Sequence, residues 1–229
     1  MQATKFTSII QDVTFLCHDV KQITLSTPPN FTFTPGQFVS LLLDIDGKRV
    51  VRPFSIASKP SQSSIELCIK IVQGGKASPT INNLKKGNSI TVLGPGGHFV
   101  IKEQSQKNPI IFISTGTGIA PFRSMIYNLL EKNFSKKITL LTGYRFEENC
   151  LYEDEFHELE KKYKNFIYKR ILSRPKKGSG GHVQELVKKH INQDTDYYIC
   201  GLKAMVNEVK DLLLKEGVLM KNIFFEKYD

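Results

Sequence analysis

The feature that most constrains this chain is a change of rhythm near residue 102. Up to about residue 100, apolar runs alternate with turn signals: "KQITLSTPPN", "PGQFVSLLLD", "RVVRPFSIAS", "SSIELCIKIV" and "NSITVLGPGG". Short runs of β-branched residues punctuated by Pro and Gly predict an antiparallel barrel or sandwich. One short helix interrupts them, with Ser78 as expected N-cap, Pro79 at the first helical position and an end near Leu84. After the polar segment "KEQSQKN", the runs "IIFIS", "ITLLTGY", "FIYKRILS", "DYYICG" and "NIFFE" alternate with helical patterns near 120–132, 152–163, 182–191 and 203–216. That alternation predicts a parallel sheet with crossover helices, and Gly217 stands where the last long helix should stop. The expected division is residues 1–103 and residues 108–229, with the boundary at Lys102 to Lys107.

Composition narrows the class. With 40% apolar and 24% charged residues among 229, the chain has the makings of a globular core. No stretch has the length of a membrane span, and no basic region followed by an apolar run opens the sequence. A cytosolic protein is expected. Cys17, Cys68, Cys150 and Cys200 are too scattered for a metal site or an iron–sulfur cluster, and disulfides are not expected without an export signal. The net charge of +10 comes from lysines spread along the chain, which reads first as a solvated surface. It also suits a face that steers an acidic partner. No nucleic-acid motif accompanies the charge, so nucleic acid is not an expected ligand.

In "IIFISTGTGIAPFRSM" a buried strand runs into Gly116-Thr117-Gly118 and then into a helix with Pro121 in its first turn. Glycines allow close backbone approach, and a helix N-terminus favours a phosphate. The fingerprint G-x-G-x-x-G is absent, and alone this segment reads equally as an ordinary tight turn. Two more strands end in comparable chemistry: Ser173 and Arg174 in "ILSRP", and Cys200 and Gly201 in "YYICGLKAM". Open α/β sheets bind ligands beyond the carboxyl ends of their strands, so three such ends point to one crevice. Ser173 and Arg174 are candidates for the 2′-phosphate of NADP, since guanidinium presents a planar fork of donors. Lys176 and Lys177 read as a solvated loop.

The stretch "VVRPFSIAS" places Arg52, Pro53 and Ser55 in what is otherwise strand. Proline cannot donate to a ladder, so Pro53 marks an interruption. An arginine here would ordinarily be an edge-strand salt bridge. Together with the nucleotide segments, however, the stretch resembles the ferredoxin–NADP reductase superfamily, the FAD-dependent NAD(P)H oxidoreductases. "RPFS" matches the flavin-binding Arg-x-Tyr/Phe-Ser/Thr motif, and "LCIK", with Cys68, Ile69 and Lys70, matches the next flavin-contacting strand. "GGKAS" matches the turn at the flavin pyrophosphate, and "GPGGHF" the turn closing the barrel. "TGTGIAPF" and "CGLKAM" match the nicotinamide-nucleotide segments, and "EKY" the family's terminal Glu-x-Tyr. The resemblance covers nearly the whole chain, with its motifs in family order.

The resemblance implies an antiparallel six-stranded flavin-binding barrel followed by a parallel-sheet nucleotide-binding domain. It further implies that Arg52 pairs with the flavin diphosphate, Phe54 packs on the flavin, and Ser55 hydrogen-bonds near flavin N5. Gly75, Lys76, Ala77 and Ser78 would form a second site for the diphosphate. Cys200 would line the nicotinamide pocket, Glu226 would orient the ring or a proton path, and Tyr228 would cover the flavin face. The implied cofactors are FAD with NADPH or NADH, and no metal. With no plant-type iron–sulfur or globin segment, the expected electron acceptor is a separate acidic carrier, ferredoxin or flavodoxin. The alternatives are a flavin reductase, an oxygenase reductase component, or a non-catalytic flavin-binding subunit. Two departures from the plant-type pattern are visible: "KKGSGGHVQEL" lacks the Lys-x-Tyr that follows Ser-Arg there, and Asp229 extends one residue beyond Tyr228.

Overall fold

The opening strand β1 (Thr4–Cys17) is long enough to serve two partners. Its first part, Thr4 to Ile9, pairs with β6 (Ser89–Gly96), and its second part, from Ile10, with β2 (Val20–Ser26), across a register shift between Ile10 and Asp12. A bulge of this kind bends a strand and lets one sheet curl. β3 (Phe38–Ile45), β4 (Lys48–Ser55) and β5 (Ser64–Lys70) complete six antiparallel strands in the order β4-β3-β6-β1-β2-β5. The bridge Ile56↔Leu67 and the hydrogen bond from Ala57 N to Glu66 O (2.8 Å) link the two outer strands and close the barrel. Ile10, Leu25, Leu41, Ile56, Leu67 and Val92 fill it without solvent exposure. Each such side chain contributes about 1.5–3 kcal/mol of burial. The structure, a computed structural model, describes residues 3–228, so Asp229 lies outside the described residues.

The second half is a parallel sheet of β7 (Ile110–Thr115), β8 (Ile138–Tyr144), β9 (Phe166–Leu172), β10 (Asp196–Leu202) and β11 (Ile223–Tyr228), in the order β11-β10-β7-β8-β9. β8 is buried along its whole length, which explains why it shows no alternation of apolar and exposed polar residues and carries even Thr139 and Thr142 inside. The intervening helices are α2 (Ala120–Glu131), α3 (Glu153–Lys162), α4 (Val183–Lys188) and α5 (Lys203–Lys215). α5 stops where Gly217 takes φ +86°, as the sequence predicts. α4 is shorter than its pattern: a bond from His190 N to Val187 O tightens the last turn, and Lys189 caps it.

The chain resolves into two compact units. One runs to Val100 and takes in Ala120–Asn128, the first part of α2; the other is Ile101–Ile119 with Leu129 onward. The polar segment at 102–107 is firmly held within the second unit. It forms a 3-10 turn, Glu103–Gln106, whose buried Ser105 donates its hydroxyl to the buried carboxylate of Asp196 (2.5 Å), while Lys102 N donates to the Tyr198 hydroxyl (2.9 Å).

The short helix of the first half needs a correction. It is α1 (Ser78–Asn82), its N-cap is Ala77, and no side chain caps it. Ser78 Oγ instead accepts a hydrogen bond from Val72 N (2.9 Å), closing the loop that leads into the helix.

Candidate functional site

In the barrel, β4 is the end strand of the ladder order, and this is why Pro53 is tolerated beside Ser40 of β3. Arg52 is half-buried, and Nη1 donates to the carbonyl of Val51 (3.0 Å). Among the described residues it has no carboxylate partner, so the edge-strand salt bridge that an arginine here would ordinarily make is absent. Phe54 is half-buried against the barrel core and Ser55 is buried. In β5, Cys68 and Ile69 are buried, while exposed Lys70 holds Asp19 (Nζ to Oδ2, 3.1 Å). Burial would raise the Asp19 pKa, but the bonds from Lys70 and the Cys17 thiol outweigh it and lower it. Lys70 is thus already engaged.

Val72 to Ser78 form a loop over an open cavity of about 610 Å³, lined by Val72, Gly75, Lys76, Ser78 and Asn82 among others. A Cβ at Gly75 would sit 3.0 Å from Ser78 Oγ and 3.1 Å from Val72 O, so a larger residue would have to push this tight turn open by a few tenths of an ångström. Lys76 is exposed and Ala77 buried. The helix that follows has only five residues, so its dipole adds little; anion-binding capacity here rests on the loop and Lys76.

In the parallel sheet the strand order reverses between β7 and β10, which pair directly with Ser114 opposite Cys200. Ligands of such sheets bind at this switch point. The two ends are interlocked. A Cβ at Gly118 would come 2.3 Å from Cys200 O, and one at Gly201 would come 2.7 Å from Thr115 Oγ1. Gly118 is therefore required by packing between the strand ends. Gly116 differs: φ is +54° and nothing lies within 4 Å of its Cβ position, which leaves its backbone open to a ligand. Gly116 to Ile119 form a 3-10 turn leading into α2, where Pro121 is the second residue. Thr117 lies half-buried in that turn.

Cys200 is fully buried, and its thiol pKa is pushed well above the ordinary value by burial first and by the Glu226 charge second; a hydrogen bond from Tyr228 opposes this weakly. Glu226 faces Cys200 across the β10–β11 ladder, and Tyr228 faces Leu202. Tyr228 belongs to β11 and is half-buried, so it is not a frayed tail. Ser173 and Arg174 follow β9 on the same carboxyl edge. Their N–H groups donate to Tyr144 O and Arg145 O (2.9 Å each). Lys176 reaches Glu148 (3.6 Å), whereas Arg174 and Arg145 have no carboxylate partner among the described residues.

Sequence reasoning overlooked three residues. Thr115 Oγ1 is buried without a hydrogen-bond partner, the kind of orphan that a ligand satisfies; its place just before Gly116 was a usable signal. Arg145 is brought to Arg174 by strand pairing that no local pattern reveals. Arg123 is buried through tertiary contacts alone. Cys17, His18 and Asp19 also bring three potential metal-ligand atoms within 4.8 Å of one another, but Asp19 is already paired with Lys70.

These features fit flavin and nicotinamide cofactors: an arginine without a carboxylate partner among the described residues and an open glycine loop in the barrel, and an orphan hydroxyl beside an open glycine at the switch point. No helix among the described residues is long and apolar enough to cross a membrane. Residues 7–101 match the oxidoreductase FAD-binding domain family and residues 112–211 the oxidoreductase NAD-binding domain family. The chain is 34% identical over 212 residues to ferredoxin–NADP reductase B of Sorangium cellulosum (strain So ce56), covering 87% of this chain and 86% of that relative. It is 30% identical to the reductase component of phenol 2-monooxygenase from Pseudomonas sp. (strain CF600), covering 97% of this chain but 65% of that protein. Its fold matches a ferredoxin NADP+ reductase from Neisseria gonorrhoeae, solved with FAD and NADP, with a TM-score of 0.87 at 21% identity over 97% of this chain and 98% of the other. The chain belongs to the ferredoxin–NADP reductase superfamily of FAD- and NAD(P)-dependent oxidoreductases.

Proposed function

We propose that this chain accepts hydride from NADPH, or less efficiently NADH, onto bound FAD and passes the electrons to a separate acidic carrier, a ferredoxin or flavodoxin. Bound FAD supplies the redox chemistry, because its ring system takes two electrons as hydride and can release them one at a time. The assignment divides the chain into an FAD-binding part, residues 1–103, and an NAD(P)-binding part, residues 108–229.

The observation that carries the reading is the convergence at the switch point of open Gly116, orphan Thr115 Oγ1, buried Cys200, and Glu226 and Tyr228 of β11. In this reading Arg52 neutralises the flavin diphosphate with help from Lys76 and the amides near Gly75 and Ser78. Phe54 supplies an apolar wall, and Ser55 hydrogen-bonds the flavin ring. Cys68 and Ile69 pack beneath it. Thr115, Gly116 and Thr117 receive the nicotinamide nucleotide. Cys200 acts by shape: a buried thiol held neutral is a small apolar surface, not a nucleophile. Glu226 orients the nicotinamide, and Tyr228, hydrogen-bonded to Cys200 at the end of β11, borders the same site. Arg174, Arg145 and Ser173 hold the 2′-phosphate, which favours NADPH.

A net charge of +10 supports an acidic protein partner, since complementary charge speeds encounter. Four free cysteines suit a reducing compartment, and we place the protein in the cytoplasm. The relatives that serve oxygenases support a second acceptor class, an oxygenase component. Comparing ferredoxin, flavodoxin and free FMN as acceptors tests the reading: turnover with a carrier at low ionic strength, falling with salt, is expected. Activity confined to free FMN would overturn the carrier assignment.

A further inference from the structure

Arg123 is an anomaly for a residue outside every motif above. Its side chain is 8% exposed, and Nη1 donates both to the carbonyl of Ala57 (3.0 Å) and to Glu66 Oε2 (2.5 Å). All three residues belong to the first compact unit. Burying a guanidinium and a carboxylate carries a desolvation penalty of several kcal/mol per ion, offset only by good geometry and further hydrogen bonds. An apolar pair would be as stable, so this pair invites a functional reason.

Its position supplies one. Ala57 is gripped from both sides: its N–H donates to Glu66 O (2.8 Å) and its carbonyl accepts from Arg123. The neighbouring pair Ile56↔Leu67 is the bridge between the exit of β4 and the centre of β5. Ala57 follows Ser55 by two residues, and Glu66 precedes Cys68 by two. In extended chain, residues two apart lie on one face, so Ser55 and Ala57 share an orientation, as do Glu66 and Cys68. One guanidinium thus fixes both segments that carry the flavin-binding residues. Tyr127, one turn along α2, covers it, with its ring 5.7 Å from the guanidinium and 4.0 Å from Lys59 Nζ.

We propose that Arg123 is a positioning residue for the flavin: it sets the exit of β4 and the centre of β5, and so the placement of Ser55 and Cys68, without itself needing to touch the cofactor. The proposal rests on the reading that β4 and β5 hold FAD. Both bonds leave the one nitrogen Nη1; a lysine ammonium has donors enough for both but ends one bond closer to the backbone, so lysine is not an equivalent.

The test compares wild type, R123K and the double variant R123M/E66M, each as apoprotein and after reconstitution with FAD. Removing both partners avoids stranding a buried charge, so the double variant is expected to fold and to melt near wild type. Its FAD dissociation constant should rise at least about tenfold, the worth of one or two lost fixing bonds. The visible circular dichroism of its bound flavin should change, and the rate of flavin reduction by NADPH should fall while the NADPH dissociation constant holds. R123K, which keeps the charge, should shift flavin binding and dichroism in the same direction by about threefold. If the double variant does not fold, R123K decides by the same readouts. Unchanged flavin affinity and dichroism in a folded variant, whatever its melting temperature, would overturn the proposal. A wild type that binds no FAD would instead sink the underlying functional reading.

Discussion

Gly118 and Cys200 lie so close that a side chain on the glycine would meet the Cys200 carbonyl oxygen at 2.3 Å and its carbonyl carbon at 2.7 Å. The obstacle is backbone in the middle of a parallel sheet, and it cannot swing away. Gly118→Ala should therefore push the ends of β7 and β10 apart. We expect a loss of about 1–3 kcal/mol of stability from overpacking, together with loss of NADPH binding. Thermal melting and nucleotide titration check both; a normally stable G118A that binds NADPH normally would show that the contact is dispensable.

Among the described residues Arg52 has no acidic partner to lose, so removing it should cost the fold little and the cofactor much. Arg52→Ala is expected to melt within a few degrees of wild type as apoprotein. Its FAD dissociation constant should rise about tenfold to a hundredfold, as for a lost charge-assisted bond to phosphate. Equilibrium dialysis of reconstituted protein measures it.

Under the proposed function, nucleotide preference would turn on Arg174 and Arg145, which meet through the bond from Arg174 N to Arg145 O (2.9 Å). Arg174→Ala should raise the KM for NADPH about tenfold and leave that for NADH unchanged, because only NADPH carries the extra phosphate. Arg145→Ala should act in the same direction. Equal effects on both nucleotides would place these arginines elsewhere in recognition.

The Cys200 thiol is held protonated by burial and by Glu226, and its pKa lies well above the ordinary thiol value. Its ionisation therefore falls outside the working range, and no alkaline inflection in kcat/KM should belong to it. Cys200→Ala should keep the wild-type pH profile while altering the rate, and iodoacetamide should leave Cys200 unmodified in the native protein. An inflection that disappears in C200A would contradict a purely spatial role.

Much of the fold was legible because its signals are local. The quoted strand runs, the crossover helices and the stop at Gly217 follow from periodicity and glycine placement and are present in the structure, with α4 shorter than its pattern, whereas the long strand β1 falls outside those runs. What sequence missed is set by contacts distant along the chain. Ser78 reads as a cap by type, yet its hydroxyl serves Val72 N. The 102–107 segment reads as a polar connector, yet Ser105 is buried because Asp196, 91 residues away, needs a donor. Gly118 reads as a ligand-facing glycine, and the structure adds a packing reason that no local pattern shows, since a Cβ there would meet the Cys200 carbonyl. Arg123 carries no signal at all until β4 and β5 are brought to it.

Anaerobic titration of the FAD-loaded protein with NADPH, and separately with NADH, tests the central claim most directly. The account predicts stoichiometric loss of the flavin's visible absorption with either nucleotide, at lower concentration with NADPH. A yellow, folded, FAD-loaded protein that neither nucleotide bleaches would contradict it.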